Sequence, residues 1–275
     1  MTHPILRQLD SQDPAARQAA CQSAAGDPSA TLLAEALGTA LGDPVKAVGR
    51  AASDALVAIA HQAGEDDVQT AVRTALHSQD PARRWRAAFT SARLEPPGPR
   101  LLPALVEALG CADGDVRWAA AKVMVDMGHR HGEVLPVLMG LVRAGESPGI
   151  RRMATFALRE LAPDRPEAAE VLLEAAGDTD LGVRRAAFTA MASLIDPPPQ
   201  VAECLLSTLR SDSDPPVRRL AALALGEIGA QDSTRVPPRT SDELEQARGA
   251  SKADPDLRRA IERALTRLEA GRPRP

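Results

Sequence analysis

The stretch Asp214-Pro215-Pro216-Val217-Arg218-Arg219-Leu220-Ala221 is the clearest copy of a motif that recurs along this chain. Close copies run from Asp180 to Ala187, from Ser147 to Ala154 and from Asp113 to Ala120, and looser copies lie nearer both ends. With the second Arg position as the anchor, the intervals between copies are 32, 36, 32, 34, 33, 34 and 40 residues. The anchors are Gln18, Arg50, Arg86, Trp118, Arg152, Arg185, Arg219 and Arg259. A period of this length indicates an array of stacked repeats.

Each repeat is predicted to contain two helices. Between Val183 and Ile195 the apolar residues follow a 3-1-3-1-3 spacing, which is the stripe of an amphipathic helix. The breaker Pro197-Pro198-Pro199 then precedes a second apolar segment, Val201 to Leu209. A single helix pair cannot bury its own apolar face, so neighbouring repeats must stack. An Ala two residues after most anchors suits this packing, because a small side chain allows helices to approach closely.

The acidic residues of the motif are interpreted as structural. An Asp or Ser directly before a Pro is typical of a helix N-terminus, where its side chain accepts hydrogen bonds from free backbone N–H groups. We therefore predict that these residues are helix caps and not catalytic acids. They are Asp13, Asp80, Asp113, Asp180, Asp214 and Asp254.

The motif with its following helix resembles the HEAT repeat. The short period is most similar to the bacterial HEAT-like class first recognised in phycobilisome bilin lyases. The resemblance extends from about Pro14 to Leu268 and implies an all-α fold, an α-solenoid of about eight two-helix repeats (α-α superhelix). It also implies that the motif helices line a concave face. Because such repeats occur in scaffolds, adaptors and a few enzymes, the resemblance says little about function.

The array is predicted to be interrupted once. The long last interval places extra residues between Gly229 and Gln246, in a polar and Pro-containing segment. We divide the chain into a repeat array over residues 1–230, a polar loop over 231–250 and a capping repeat with a frayed tail over 251–275.

The composition of the chain bears on the class of its partner and on its cellular compartment. The formal charge of −4 argues against a nucleic-acid partner. Three widely separated cysteines, Cys21, Cys111 and Cys204, make neither a disulfide framework nor a metal knuckle. The first residues lack a secretory signal pattern, and no apolar run approaches the roughly 20 residues needed to span a bilayer. We expect a cytoplasmic protein outside the membrane.

The candidate binding residues are the two tryptophans and the tandem arginines of the motif. Trp85 and Trp118 occupy equivalent or neighbouring motif positions, where most other repeats carry Arg, and exposed indoles beside arginines form good binding hot spots. The proposed set is Trp85, Arg86, Arg117, Trp118, Arg152, Arg185 and Arg219. Two structural alternatives stay open: the indoles fill a local widening between repeats, or the arginines bond the adjacent repeat.

Signals for catalysis and for a metal are weak. The chain contains no GxSxG, Walker A, HExxH or GxGxxG sequence. His129, His131 and Glu133 are close in sequence, but a pair at i and i+2 does not share a helix face. The HEAT-like deoxyhypusine hydroxylases hold iron with His-Glu dipeptides, and this sequence has none. We predict no enzyme activity, no metal and no cofactor.

Three functions remain at this point. The first is a non-catalytic scaffold or adaptor that binds another protein, such as one with an acidic segment, along the concave helix face. The second is a lyase or lyase-chaperone subunit of the bilin-lyase type, which depends on the family resemblance alone. The third is nucleic-acid binding through the row of arginines, which would make affinity steeply salt-dependent.

Overall fold

The computed structural model describes residues 3–64, 66–251 and 254–271, and within them all regular structure is helical. Internal contacts divide the chain into two compact units, with the boundary between His131 and Gly132. Each unit is a series of helix pairs, in which the second helix carries the motif. The all-α prediction is confirmed, and eight pairs are present in the described part of the chain.

The first unit contains four helix pairs. A 3-10 turn at Pro99–Leu101 precedes α7. The helices are α1 (Pro4–Leu9), α2 (Pro14–Ala24), α3 (Ala30–Ala40), α4 (Lys46–Ala63), α5 (Asp66–Leu76), α6 (Pro81–Leu94), α7 (Leu102–Leu109) and α8 (Gly114–Gly128). Motif helices of successive pairs pack together, α2 on α4, α4 on α6 and α6 on α8.

The second unit also contains four pairs. Its helices are α9 (Val134–Ala144), α10 (Pro148–Leu161), α11 (Pro166–Ala175), α12 (Leu181–Met191), α13 (Pro199–Ser211), α14 (Pro215–Gln231), α15 (Thr240–Ala250) and α16 (Pro255–Ala270). Here α10 packs on α12, α12 on α14 and α14 on α16.

One expectation about the chain path needs correction. The polar segment 231–250 is not a loop throughout, because its second half forms α15, which packs against α16. Only the 3-10 turn Ser233–Arg235 and its flanks connect α14 to that helix. The buried side chains of Leu244 and Ala247 anchor α15, although they are spaced too sparsely among polar residues to make an apolar stripe. The last repeat is therefore a complete helix pair.

The motif acids lie at the starts of the motif helices. The Asp13, Asp80 and Asp113 side chains accept hydrogen bonds from the backbone N–H two residues ahead. Asp180, Asp214 and Asp254 accept from the N–H three residues ahead. Since the first N–H groups of a helix have no partner within it, these carboxylates fix where each motif helix begins. Two motif helices differ: the N-cap residue of α10 is Ser147, and that of α4 is Val45, whose side chain makes no capping hydrogen bond.

The core lies between the helix layers of each unit. The recurrent small residues of the motif helices are fully buried: Ala20, Ala52, Ala88, Ala120, Ala154, Ala187 and Ala221, with Ile261 closing the series. Larger residues four positions further along are also fully buried, including Leu56, Met124 and Leu158. Small residues therefore set the helix spacing, and the larger ones fill the layer between repeats.

Two motif helices of the second unit approach each other closely at Gly226 in α14. A Cβ atom at this position would lie 2.6 Å from the Ala264 Cα atom of α16, which is backbone and cannot move aside cheaply. Only a hydrogen atom fits between these two helices at this point, so the contact requires glycine.

Gly226→Ala is therefore expected to lower the free energy of unfolding by about 1–3 kcal/mol, the typical cost of overpacking a core. Urea denaturation followed by circular dichroism measures this change. The matched control is Gly140→Ala in α9, where a Cβ would meet no heavy atom within 4 Å outside its own helix backbone. That substitution should raise stability by up to about 1 kcal/mol through helix propensity. Equal effects of the two substitutions would contradict the close contact.

Candidate functional site

The motif helices present one common face to open grooves within each unit. Positions are counted from the N-cap residue as zero, so the fifth position lies five residues after the N-cap and the ninth lies nine residues after it. The fifth and ninth positions of α4 line a groove of about 740 Å³ together with α2. The same positions of α14 and α16 line a second groove, of about 550 Å³. We call these two rows of positions the groove face. The fifth-position residues are Gln18, Arg50, Trp85, Trp118, Arg152, Arg185, Arg219 and Arg259, and the ninth-position residues are Gln22, Asp54, Phe89, Lys122, Phe156, Thr189, Leu223 and Arg263.

The helix starts correct the sequence alignment of one repeat. Because α6 is capped by Asp80, the fifth position of this helix is Trp85 and not Arg86. Trp85 and Trp118 therefore occupy the same position in consecutive motif helices. The interval between them is 33 residues, and the interval from Arg50 to Trp85 is 35 residues instead of 36.

The aromatic part of the groove face has a defined geometry. The Trp85 ring lies against Phe89 one turn later, with a centroid distance of 5.3 Å and an interplanar angle of 41°. The Arg93 guanidinium lies 5.8 Å from the centre of the Phe89 ring. Trp85 is partly buried by this stacking, whereas Trp118 on α8 is 49% exposed. The two indoles thus differ in exposure, and Trp118 is the more accessible of the two.

A similar pair occurs in the second unit. Phe156 occupies the ninth position of α10, and the Arg159 guanidinium lies 5.3 Å from its ring centre. Cation–π contacts of this kind stabilise aromatic rings at partly exposed positions. The motif alone does not single out Phe89 or Phe156, because their register becomes visible only when the helix starts are known.

Most arginines at the fourth position after the N-cap are structural. Each of five sends its Nη1 back to the carbonyl oxygen six residues earlier, at distances of 2.6–3.0 Å. They are Arg17, Arg84, Arg117, Arg151 and Arg184. A guanidinium with several donors in a fixed fork suits this role, since it can tie the loop before the helix and still reach another repeat. Because the Nη1 of Arg117 binds the Cys111 and Ala112 carbonyls, we leave Arg117 out of the partner surface proposed from the sequence.

Some of these arginines also bind the next repeat. Arg151 donates Nε and Nη2 to the two carboxylate oxygens of Asp178, at 2.7 and 3.0 Å. Arg17 makes the same bidentate contact with Asp43, at 2.6 and 3.1 Å. Both pairs are largely buried. The hydrogen bond from Arg151 holds the pKa of Asp178 below its usual value. These pairs tie consecutive repeats together.

The repeat of α4 lacks this arginine and uses a substitute. Its fourth position is Gly49, and a Cβ there would lie 2.7 Å from the Cζ atom of Arg86 in the next motif helix. Arg86 donates Nη1 to the carbonyls of Leu41 and Asp43, at 2.6 and 3.0 Å. The Asp43 carbonyl lies six residues before Gly49, so a guanidinium from the neighbouring repeat replaces the missing one. Arg86 is thus a structural residue, which corrects its predicted place in the partner surface.

Of the fifth-position arginines predicted to bind a partner, two form ion pairs with the next repeat and one is exposed. Arg185 forms an ion pair with the cap Asp214 at 2.8 Å, and Arg219 with Asp256 at 3.0 Å. The hydrogen bond from Arg185 lowers the pKa of Asp214. Arg152 is exposed, and its side chain passes over Gly182. A Cβ atom built at Gly182 would lie 3.5 Å from the Cδ and Nη1 atoms of Arg152. Of the predicted arginines, Arg152 thus presents the most accessible guanidinium.

A lysine clasp joins two motif helices that lie on either side of α6 in the chain. Lys46, at the start of α4, donates to Asp113 at 2.7 Å and to Asp115 at 2.9 Å, both at the start of α8. The hydrogen bond to Asp113 raises the pKa of Lys46. No sequence signal identifies this contact, because its partners are 67 and 69 residues apart.

The described residues contain no group of three or more His, Cys, Asp or Glu side chains arranged to hold a metal ion. His129, His131 and Glu133 are therefore not assembled into a ligand set. Within the same residues, no helix combines the length and the apolar character that crossing a membrane requires.

Comparison with known proteins agrees with the repeat architecture. The family of HEAT repeats matches residues 70–159, 102–192, 136–212 and 183–266. Comparison with curated protein sequences gave no significant match. Among solved structures, the Escherichia coli protein YibA is 21% identical with a TM-score of 0.59, over 96% of this chain and 91% of that one.

Larger proteins share the fold over part of their length. An importin beta structure matches with 16% identity and a TM-score of 0.64, over 97% of this chain and 40% of the importin chain. A structure of Kap95p binding to RanGDP matches with 15% identity and a TM-score of 0.66, over 96% of this chain and 39% of that chain. Identities this low show similarity of fold alone.

The replacement of the missing arginine at position 49 by Arg86 can be tested with a double-mutant cycle. Arg86→Ala should lower the free energy of unfolding by about 2–3 kcal/mol, because two carbonyls lose a charged donor. Gly49→Arg alone should also destabilise, since two guanidinium groups would compete for one space. In the double variant, the guanidinium introduced at position 49 can bind the Asp43 carbonyl as its counterparts do, so part of the loss should be recovered. Urea unfolding of all four proteins measures the coupling, and simple additivity would refute the exchange.

The Arg151–Asp178 pair predicts a pH dependence. The folded-state pKa of Asp178 is lowered, so its stabilising effect is present above its unfolded pKa of about 3.9 and is lost as the pH falls through the folded value. Asp178→Asn should cost about 2 kcal/mol at pH 7, and the difference from wild type should shrink below about pH 4. The control Asp164→Asn, at an exposed position, should unfold like wild type at every pH. A constant difference across the acid range would contradict the assignment.

Proposed function

Because this chain belongs to the HEAT-repeat family, we propose that it is a non-catalytic scaffold or adaptor that binds another protein through its groove face. The aromatic anchors of this surface are Trp118, Trp85 and Phe89 in the first unit, and Phe156 lies at the same register in the second. Arg152 supplies an accessible charge on the helix that carries Phe156. The proposed role is binding and includes no reaction.

The observation that carries this proposal is the placement of the aromatic residues. The chain has only two Trp, three Phe and no Tyr, and four of these five residues occupy fifth or ninth positions of α6, α8 and α10. Phe188 alone lies in the core, where it is 1% exposed. A chain that fills its core with Ala and Leu has no packing need for aromatics on an outward face. Partly exposed Trp side chains are the residues that most often dominate protein–protein affinity.

The fold of the compared proteins is consistent with a binding role. Kap95p is described as binding RanGDP, and its chain shares this fold with the present one. Repeat arrays of this kind present many helices in sequence, so a partner can contact several repeats at once. The formal charge of −4 weighs against a polyanion as the partner and favours a protein.

Trp118→Ala tests the proposal with little risk to the fold, because the side chain is half exposed. We expect captured partner protein to fall about 30-fold in affinity, as for a hot-spot residue worth about 2 kcal/mol. The measurement is quantitative mass spectrometry of proteins retained by immobilised wild type and variant. Leu32→Ala is the matched control, since Leu32 is an apolar side chain 79% exposed on α3, away from the groove face. Partners lost equally with both variants, or with neither, would count against the groove face.

A further inference from the structure

A second surface on the groove face has a different chemistry from the aromatic one. The groove of about 550 Å³ between α14 and α16 lies wholly within the second unit. Its apolar lining comes from Pro216, Leu220, Leu223 and Ala260. Its charged lining consists of Arg219, Arg259, Arg263 and Asp256. We call it the arginine groove.

The charges of the arginine groove are unbalanced. Three guanidinium groups face one carboxylate, which gives a local excess of two positive charges in a chain whose formal charge is −4. Asp256 is shared, because its Oδ2 accepts from Arg219 at 3.0 Å and its Oδ1 pairs with Arg259. Among the described residues, Arg263 forms no ion pair. The Arg263 guanidinium is therefore available, and the other two guanidinium groups share a single carboxylate.

Asp256 shows what these arginines bind. The hydrogen bond from Arg259 holds its pKa below the usual value, so this carboxylate stays charged between the two guanidinium groups. A further carboxylate from outside can be bound by the same chemistry at Arg263 and Arg259. Arginine matches the planar geometry of a carboxylate with two parallel hydrogen bonds.

The apolar lining selects the rest of the ligand. Leu220 and Leu223 are only partly buried, so they offer aliphatic surface directly beside the arginines. An aliphatic side chain placed there would remove apolar area from water on both partners. Neither α14 nor α16 contains an aromatic residue, although stacking on aromatics is the usual means of binding single-stranded nucleic acid. The groove therefore favours a peptide over an oligonucleotide.

We propose that the arginine groove binds a short acidic segment of a partner protein, with carboxylates at Arg263 and Arg259 and one aliphatic side chain on Leu220 and Leu223. This assignment rests on the proposed function for the class of partner. It uses helices distinct from those that carry Trp85 and Trp118, and so it defines a second contact point. Two separate contact points on one chain raise the affinity for a partner that can reach both.

The experiment measures fluorescence anisotropy of a labelled eight-residue peptide with acidic residues on both sides of one leucine, at about 50 mM salt, where screening is weak. The full chain should bind this peptide, and the peptide with Gln and Asn in place of the acids should not bind. Arg263→Ala should weaken binding about tenfold, the usual effect of losing one charge-assisted pair. Asp256→Asn should strengthen it severalfold, because an internal competitor for the arginines is removed.

The controls separate this site from general electrostatics and from the aromatic surface. Arg248→Ala removes one positive charge from α15, where Arg248 pairs with Glu245, and should leave peptide binding unchanged. Trp118→Ala should also leave it unchanged. Circular dichroism checks that every variant is folded.

The proposal is overturned by any of three results: no binding of the acidic peptide, equal loss in Arg248→Ala and Arg263→Ala, or tighter binding of a single-stranded DNA octamer. If peptide binding fails while Trp118→Ala still abolishes capture of partner protein, only the arginine groove is refuted. If peptide binding holds while Trp118→Ala has no effect on capture, the aromatic surface is refuted instead.

Discussion

The arrangement of most repeats depends on a guanidinium that reaches back over the start of its own helix. Four residues after the N-cap, the arginine binds a carbonyl of the preceding loop, and in three repeats it also holds a carboxylate of the next repeat. Loop carbonyls near a helix start lie close to the core and have no partner in the helix, so an unpaired one is costly. One side chain thus fixes the loop, the helix start and the spacing to the neighbour.

The repeat of Gly49 shows how strict this requirement is. Where the motif arginine is missing, the carbonyl of Asp43 is bound by Arg86 from the next motif helix, and the glycine leaves room for it. The same need is met from a different position in the sequence. An arginine that looks like part of a surface row in sequence is therefore a structural residue, and the surface row passes through Trp85 instead.

Neighbouring positions of the motif helices therefore have different roles, structural at the fourth position and part of the groove face at the fifth and ninth. The fourth position after the N-cap faces the loop, and most of its arginines are used within the structure. The fifth and ninth positions face the grooves and vary from repeat to repeat: both are aromatic in α6, one is aromatic and one basic in α8 and α10, and both are arginine in α16. Since core and loop contacts do not constrain these positions strongly, their variation is what gives different stretches of one repeat array different binding chemistry.

The helix pairs, the caps and the buried Ala and Leu positions can be predicted from the amino-acid sequence, because they depend on local periodicity and on the chemistry of helix ends. The same patterns miss α15, whose few apolar residues are buried through contact with α16 and α13. Packing between repeats determines which arginines remain accessible, that Lys46 reaches Asp113, and that Trp85 stacks on Phe89 while Trp118 is half exposed. A side chain's partners across repeats depend on the exact start of each helix, and a shift of one residue rotates a side chain by about 100° around the helix axis. A motif read from sequence tolerates such a shift, but the packed structure does not.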